Sequence, residues 1–196
     1  TEEISGTLAA SAKVRGTLAR PEAALDITVD RPAAFGEQFE QLRARGRLTG
    51  DFFEIAAGSL RFAGSQLEFT AAYIRAASGW NTGSVRFHVA GGGILLNQLQ
   101  RVRSVDPGLT GQVALRAIGV GHVRNGDFDV DTLDSQIRIA GVALGASPAG
   151  NLNVSAKTRG DVLEAGVDGA IRGSKITGSG EWRLVGDYPG RAEIRF

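Results

Sequence analysis

The stretch GSLRFAGSQLEFTAAY, residues 58–73, decides the fold class. From Leu67 onward it alternates, with Leu67, Phe69, Ala71 and Tyr73 on one side and Glu68, Thr70 and Ala72 on the other. A period of two places alternate side chains on opposite faces of a strand, one apolar and one wetter. Strands of this kind recur to the last residue, and hardly any helix is available to cover them. The sequence therefore predicts an all-β chain and poses a question: what covers the apolar face?

Working outward, the first half reads as strands at 6–14, 23–30, 39–48, 52–57, 59–63, 66–75 and 84–90. The second reads as strands at 111–118, 126–132, 135–140, 151–157, 162–168, 170–173, 175–184 and 191–196. Many short strands with Gly punctuation favour a barrel, sandwich or solenoid over an α/β fold. Two stretches have helical spacing. ILLNQLQRV (94–102) places Leu95, Leu99 and Val102 at i, i+4 and i+7 and is followed by Asp106-Pro107-Gly108, so a short helix is expected there. FGEQFEQLRARG (35–46) has Phe35, Phe39 and Leu42 at the same spacing, but Leu42, Ala44 and Leu48 keep a period of two, and strand is preferred.

Composition narrows the function. Gly is 28 of 196 residues, about twice the usual share of roughly 7%, which suits tight turns between short strands. The net charge is +1, from 22 basic and 21 acidic residues. Singly dispersed charges of both signs leave no field to gather nucleic acid or steer anions. With no cysteine, disulfides, thiolate metal sites and Cys nucleophiles are excluded. No run approaches the 18 or so apolar residues of a membrane helix, and nothing resembles a signal peptide. The start at Thr1 and the strand-like AEIRF ending suggest a piece of a longer chain.

A weak repeat runs through the sequence. ISGTLAASAKVRGTL (4–18) lies over LTGQVALRAIGVGHV (109–123) at an offset of 105, matching Gly6, Ala9, Ala12 and Gly16 to Gly111, Ala114, Ala117 and Gly121. LDITVD (25–30) lies over FDVDTLD (128–134), GSQLEFTAAY (64–73) over GSKITGSGEW (173–182) and GSVRFHV (83–89) over GRAEIRF (190–196). Four matches in chain order with near-constant offset predict two similar units. The first is 1–105, ending in the short helix at about 94–102, and the second is 106–196, running into the start of a third.

No chemistry stands out. His88 and His122 have no carboxylate or Ser at informative spacing, and solvated strand histidines account for both. Asp127, Asp129 and Asp131 alternate as in a calcium loop. The Gly turn and later Glu of such loops are missing, and Phe128 and Val130 interleave as in an ordinary strand with a polar outer face. Gly91-Gly92-Gly93 lacks the following Lys-Ser/Thr of a phosphate loop. Asn153-Val154-Ser155 fits a glycosylation triplet but lies inside a strand. A non-enzyme without metal or cofactor is expected.

With its repeat laid out, the chain resembles the AsmA-like proteins, and among them the TamB type. The resemblance is carried by ISGTLAASAKVRGTLARPEAALDITV with Pro21, by DPGLTGQVAL after the helix ILLNQLQRV, and by GEWRLVGDYPGRAEIRF (180–196). It spans essentially the whole chain. It implies an antiparallel-rich β-solenoid of taco-like section, two similar units with a short helix between them, and an open hydrophobic groove. It also implies the periplasm of a Gram-negative bacterium, an inner-membrane anchor and an outer-membrane barrel partner met through parts outside this stretch. The implied function is phospholipid transport between the membranes and outer-membrane biogenesis. On that reading the groove is lined by Phe53, Ile55, Leu67, Phe69, Val85, Phe87, Val113, Leu115, Leu152, Val154, Ile194 and Phe196.

Small inward residues such as Ala10, Ala12, Ala57, Ala71, Ala117, Ala156 and Ala165 would leave room for acyl chains. The alternative is a structural or chaperone-like β-scaffold for outer-membrane protein assembly, with a filled core and no lipid. Cutting a solenoid exposes strand edges, so an end-to-end dimer of the isolated fragment is expected as a consequence of the cut alone.

Overall fold

An apolar strand face gains most cheaply by pairing with its sequence neighbour, because short turns cost little closure entropy. The computed structural model, which describes residues 5–17, 20–34, 36–184, 187 and 189–196, follows that rule throughout. The strands are β1 (Ser5–Thr17), β2 (Arg20–Ala34), β3 (Glu37–Gln38), β4 (Gln41–Leu48), β5 (Phe52–Phe62), β6 (Ser65–Ala76) and β7 (Gly79–Leu95). They continue as β8 (Leu109–Arg124), β9 (Asp127–Leu144), β10 (Ser147–Arg159), β11 (Val162–Ile171), β12 (Ser174–Arg183) and β13 (Gly190–Arg195).

All belong to one antiparallel sheet whose order is the sequence order, with the two-residue β3 set beside β2. The path does not close: β1 and β13 each keep one unpaired edge. The chain is thus all-β, one open sheet. The positions matched by the repeat fall on β1 and β8, β2 and β9, β6 and β12, and β7 and β13.

Turn chemistry explains the hairpins. Ala63-Gly64, Asn125-Gly126 and Arg172-Gly173 all have positive φ at both residues, the geometry that matches strand twist in two-residue turns. The tips at 63–64 and 172–173 are superposed by the repeat and share this geometry.

Four sequence expectations need correction. The split at 162–168 and 170–173 falls within one strand, β11, whose pairing is unbroken through Gly169 to Ile171. The split strands 52–57 and 59–63 are one strand, β5, bulged between Ile55 and Gly58. Likewise 126–132 and 135–140 are one strand, β9, whose register slips by one residue at Asp131. The helix is displaced from 94–102: Ile94 and Leu95 pair with Val113 and Gln112 of β8. A 3-10 turn at Leu96–Gln98 and a helix α1 (Gln100–Val105) follow. The Leu95/Leu99 spacing looked helical, but Leu95 is claimed by the ladder of a longer β7. For the 35–46 stretch, strand was the right preference, because β3 and β4 occupy 37–38 and 41–48.

Burial is concentrated at one rim. Phe62, Ile94 and Val142, near the C-terminal ends of β5, β7 and β9, and Leu96, just past β7, are less than one-tenth exposed, as is Ala44 in the middle of β4. Leu96 lies against Gly111 of β8, and Phe39 meets Phe62 edge-on, with ring centroids 5.6 Å apart. The Glu37 carboxylate accepts from the backbone N–H groups of Gln100 and Arg101 at 2.7 and 2.8 Å. It thereby supplies the acceptors that the start of α1 lacks. Elsewhere the sheet is bare. Its accessible area is 12972 Å², against about 8,900 Å² expected of a compact 20.5 kDa monomer.

Candidate functional site: an open apolar face

The register aligns the apolar positions of successive strands into rows. Leu8, Val29, Leu42, Leu60, Leu67 and Gly91 stand opposite one another in turn across β1 to β7. The row continues through Leu115, Ile137, Val154, Val167, Gly178 and Ile194 to β13. It crosses twelve strands without a polar side chain.

The neighbouring row begins Ala10, Ile27, Ala44, Gly58, Phe69, Val89 and Ala117. It ends Ser135, Ala156, Ala165, Gly180 and Ala192. Its single hydroxyl, Ser135 Oγ, is turned to the Ala156 carbonyl at 3.3 Å. Shorter rows flank these two: Ile55, Ala71, Phe87, Gly119 and Leu133 form one, and Phe53, Tyr73, Val85, Gly121 and Val130 another. Val113, Ile139, Leu152, Gly169 and Ile176 lie beyond the first. No charged residue occurs in any of the five.

The other face is its complement. Thr28, Arg43, Ser59, Glu68, Ala90, Arg116, Gln136 and Ser155 form one of its rows. Exposed cross-strand ion pairs join Arg47 to Glu54 at 2.8 Å, Lys157 to Asp134 at 3.3 Å and Arg191 to Glu181 at 3.0 Å. Hollows of the molecular surface occur on this side. One of about 680 Å³ is lined by Asp26, Arg43, Arg45, Glu68, Thr70 and His88 among others.

Eleven of the twelve expected lining residues share the apolar face. Phe53, Ile55, Leu67, Phe69, Val85, Phe87, Val113, Leu115, Leu152 and Val154 are half-buried on it, and Ile194 is exposed on the β13 edge. Phe196 lies past the end of β13, 90% exposed. Leu8, Val29, Leu42, Leu60, Ile137 and Val167 supply the other large side chains of the longest row. They show the same period of two, but only the pairing reveals that they are collinear.

Ala57 was expected inward. The β5 bulge sets it opposite Arg45, in a polar-face row.

The carboxylate trio is also taken apart. Asp127 stands opposite Arg124 and Asp129 opposite His122, while Asp131, at the register slip, contacts His122 Nδ1. Among the described residues no group of three or more ligands is placed to hold a metal ion. His88 stands on the polar face, opposite Thr70 and Ile118.

The apolar face is smooth because its large side chains rest on glycines of adjacent strands. Phe69 lies over Gly58, Phe87 over Gly119, Leu67 over Gly91 and Leu152 over Gly169. A β-carbon at any of these glycines would stand within 2.8 Å of the overlying side chain. These glycines have extended backbone and are required for space, not for turning. The composition pointed to turns, and the cross-strand seats went unread.

Apart from residues 96–105 at one rim, no second layer among the described residues packs on this face, and the strand contacts follow the sheet order. No helix among the described residues is long and apolar enough to cross a membrane. Comparison with family models, with curated proteins and with solved structures finds no match to this chain. The class is therefore defined by the sheet alone: an open antiparallel sheet with one apolar face, charged only where Arg75 sits over Trp80 at its rim, and one ion-paired polar face.

Proposed function

We propose that the open apolar face carries phospholipid acyl chains. The observation behind this is the uncharged row from Leu8 to Ile194, which crosses twelve strands without a covering layer. With strands about 4.8 Å apart and residues rising about 3.3 Å, the rows together span on the order of 1,000 Å². The largest apolar patch on an ordinary soluble monomer is about 300–600 Å². A face of this extent calls for an apolar ligand, and acyl chains suit it because their contacts are non-directional. A smooth floor without a deep pocket offers similar contacts at each strand, so a lipid tail can slide along it. The setting that fits is the AsmA-like, TamB-type bridge which the sequence resembles. There this stretch would serve in the periplasm of a Gram-negative bacterium, between inner-membrane and outer-membrane partners.

The test is to purify the chain from a Gram-negative periplasm and quantify co-purified phospholipid. Leu67→Glu, Leu115→Glu and Val154→Glu place charges along the central row, and Ser59→Glu serves as the opposite-face control. At least a tenfold loss of lipid in the row variants, with far-UV circular dichroism and lipid content unchanged in the control, is the expected result. Equal lipid in row and control variants, or none in the parent chain, would overturn the proposal.

A further inference from the structure

The alternation of β6 does not stop at Tyr73. It carries on to Arg75, which stands opposite Gly83 and brings a charge to the apolar side of the sheet. β4, β8, β10 and β12 end at the same rim and carry arginines there too, but on the polar side. Arg47 pairs with Glu54 and Arg159 with Glu164, while Arg124 stands opposite Asp127 and Arg183 opposite Val162.

Arg75 is half-buried. Its Nε donates to the Gly50 carbonyl at 2.6 Å, and its guanidinium carbon lies 5.8 Å from the centre of the Trp80 ring. A slip in the β6–β7 register leaves Trp80 to Thr82 without partners on β6. Trp80 stacks on Tyr73 with ring centroids 5.8 Å apart, and the Tyr73 hydroxyl donates to the Trp80 carbonyl at 2.7 Å. Among the described residues no carboxylate pairs with Arg75, and nothing accepts from its two terminal nitrogens. A half-buried cation without a counter-anion costs free energy. The planar donors of a guanidinium match phosphate oxygens two at a time. Tyr and Trp, each with an apolar body and a polar handle, suit the boundary between an apolar surface and water.

The opposite rim is walled by residues 96–105, with Leu96 buried and Glu37 holding the start of α1. A lipid on the face therefore has its open side at Arg75. From there Tyr73, Ala71, Phe69 and Leu67 run inward along β6, a path of about 26 Å. We propose that Arg75, braced by Trp80 and Tyr73, binds the phosphate of a phospholipid headgroup at this rim, with the acyl chains lying inward along the strands. The inference rests on the acyl-chain reading and deepens it: it states where the head sits and which charge it carries.

The chain has two tryptophans, so a Trp182→Phe background leaves Trp80 as the indole reporter. Its fluorescence would be titrated with dihexanoylphosphatidylglycerol, with uncharged dihexanoylglycerol and with inorganic phosphate. Arg75→Gln is expected to weaken the phospholipid by about tenfold or more, the loss usual for a charge-assisted hydrogen bond. It should leave dihexanoylglycerol unchanged, and Arg75→Lys should recover part of the loss. Arg124→Gln, at the same rim on the polar side, should bind the phospholipid as the parent does. Equal phospholipid affinity in Arg75→Gln and parent, with dihexanoylglycerol still bound, would overturn the headgroup site and leave the acyl-chain reading standing. An equal loss for dihexanoylglycerol in Arg75→Gln would reduce Arg75 to a structural role. Binding of neither lipid would overturn both readings. Inorganic phosphate binding as tightly as the phospholipid would make this a free-anion site and overturn the lipid assignment.

Discussion

Phe69 lies over Gly58 on the paired strand, so close that a β-carbon on residue 58 would stand 2.3 Å from the ring's Cε2. The same relationship joins Phe87 to Gly119, where the distance would be 2.5 Å to Cζ. In an open sheet no second layer holds large side chains down. The glycine seats do so by letting each ring contact the neighbouring backbone. Gly58→Val is therefore expected to lift Phe69 and to cost about 1–3 kcal/mol, the usual range for overpacking. Ser59→Ala, on the polar face, should stay within about 0.5 kcal/mol. Urea unfolding of the two variants checks this, and equal stabilities would remove the seat from the account.

A second kind of close approach involves backbone. A β-carbon at Gly46 would stand 2.0 Å from the Glu54 carbonyl oxygen, beside the irregularity between β4 and β5, whereas Gly50 has open space around it. Gly46→Ala should cost at least about 2 kcal/mol, because backbone must shift, and Gly50→Ala should stay within about 0.5 kcal/mol. Thermal or urea denaturation distinguishes the two.

The helix at the rim depends on one carboxylate. Replacing Glu37 by Ala removes the acceptor for the Gln100 and Arg101 amides. A loss of about 1 kcal/mol is expected for such a partly solvated charged acceptor. Amide exchange should accelerate at residues 100–103 and remain unchanged in β11 and β12. Acceleration throughout the sheet would instead make α1 a global element.

The polar-face ion pairs should matter little. Lys157 and Asp134 are 62% and 58% exposed at their side chains, so Lys157→Ala is expected to cost less than about 1 kcal/mol. A larger loss in urea titration would mean that the polar face is covered in solution.

The strand content was legible because alternation survives in almost every segment: Leu67, Phe69 and Ala71 keep their period from sequence to sheet. Bulges hid much of the rest, and Gly169 made the unbroken β11 read as two strands. An extra residue at 56–57 and another at 131 break the period, so two continuous strands looked like four and Ala57 was assigned to the wrong face. The helix was placed early because Leu95 and Leu99 satisfy helical spacing as well as an alternating strand. The apolar face was legible as a set, since eleven of the twelve named residues share it. Its rows were not, because collinearity comes from hydrogen-bond register, which no single strand encodes. The glycine excess was visible, but Gly58 and Phe69 are eleven residues apart, and only pairing shows one as the seat of the other.

The central claim is that one face of this sheet takes acyl chains and the other does not. It is tested most directly by placing a photo-crosslinking residue at Phe69 or at Glu68, one step apart on β6 and on opposite faces. The chain would be expressed in a Gram-negative periplasm and the captured species analysed by mass spectrometry. The account predicts phospholipid adducts at 69 and none at 68. Absence of lipid at 69, or equal capture at both positions, would contradict it.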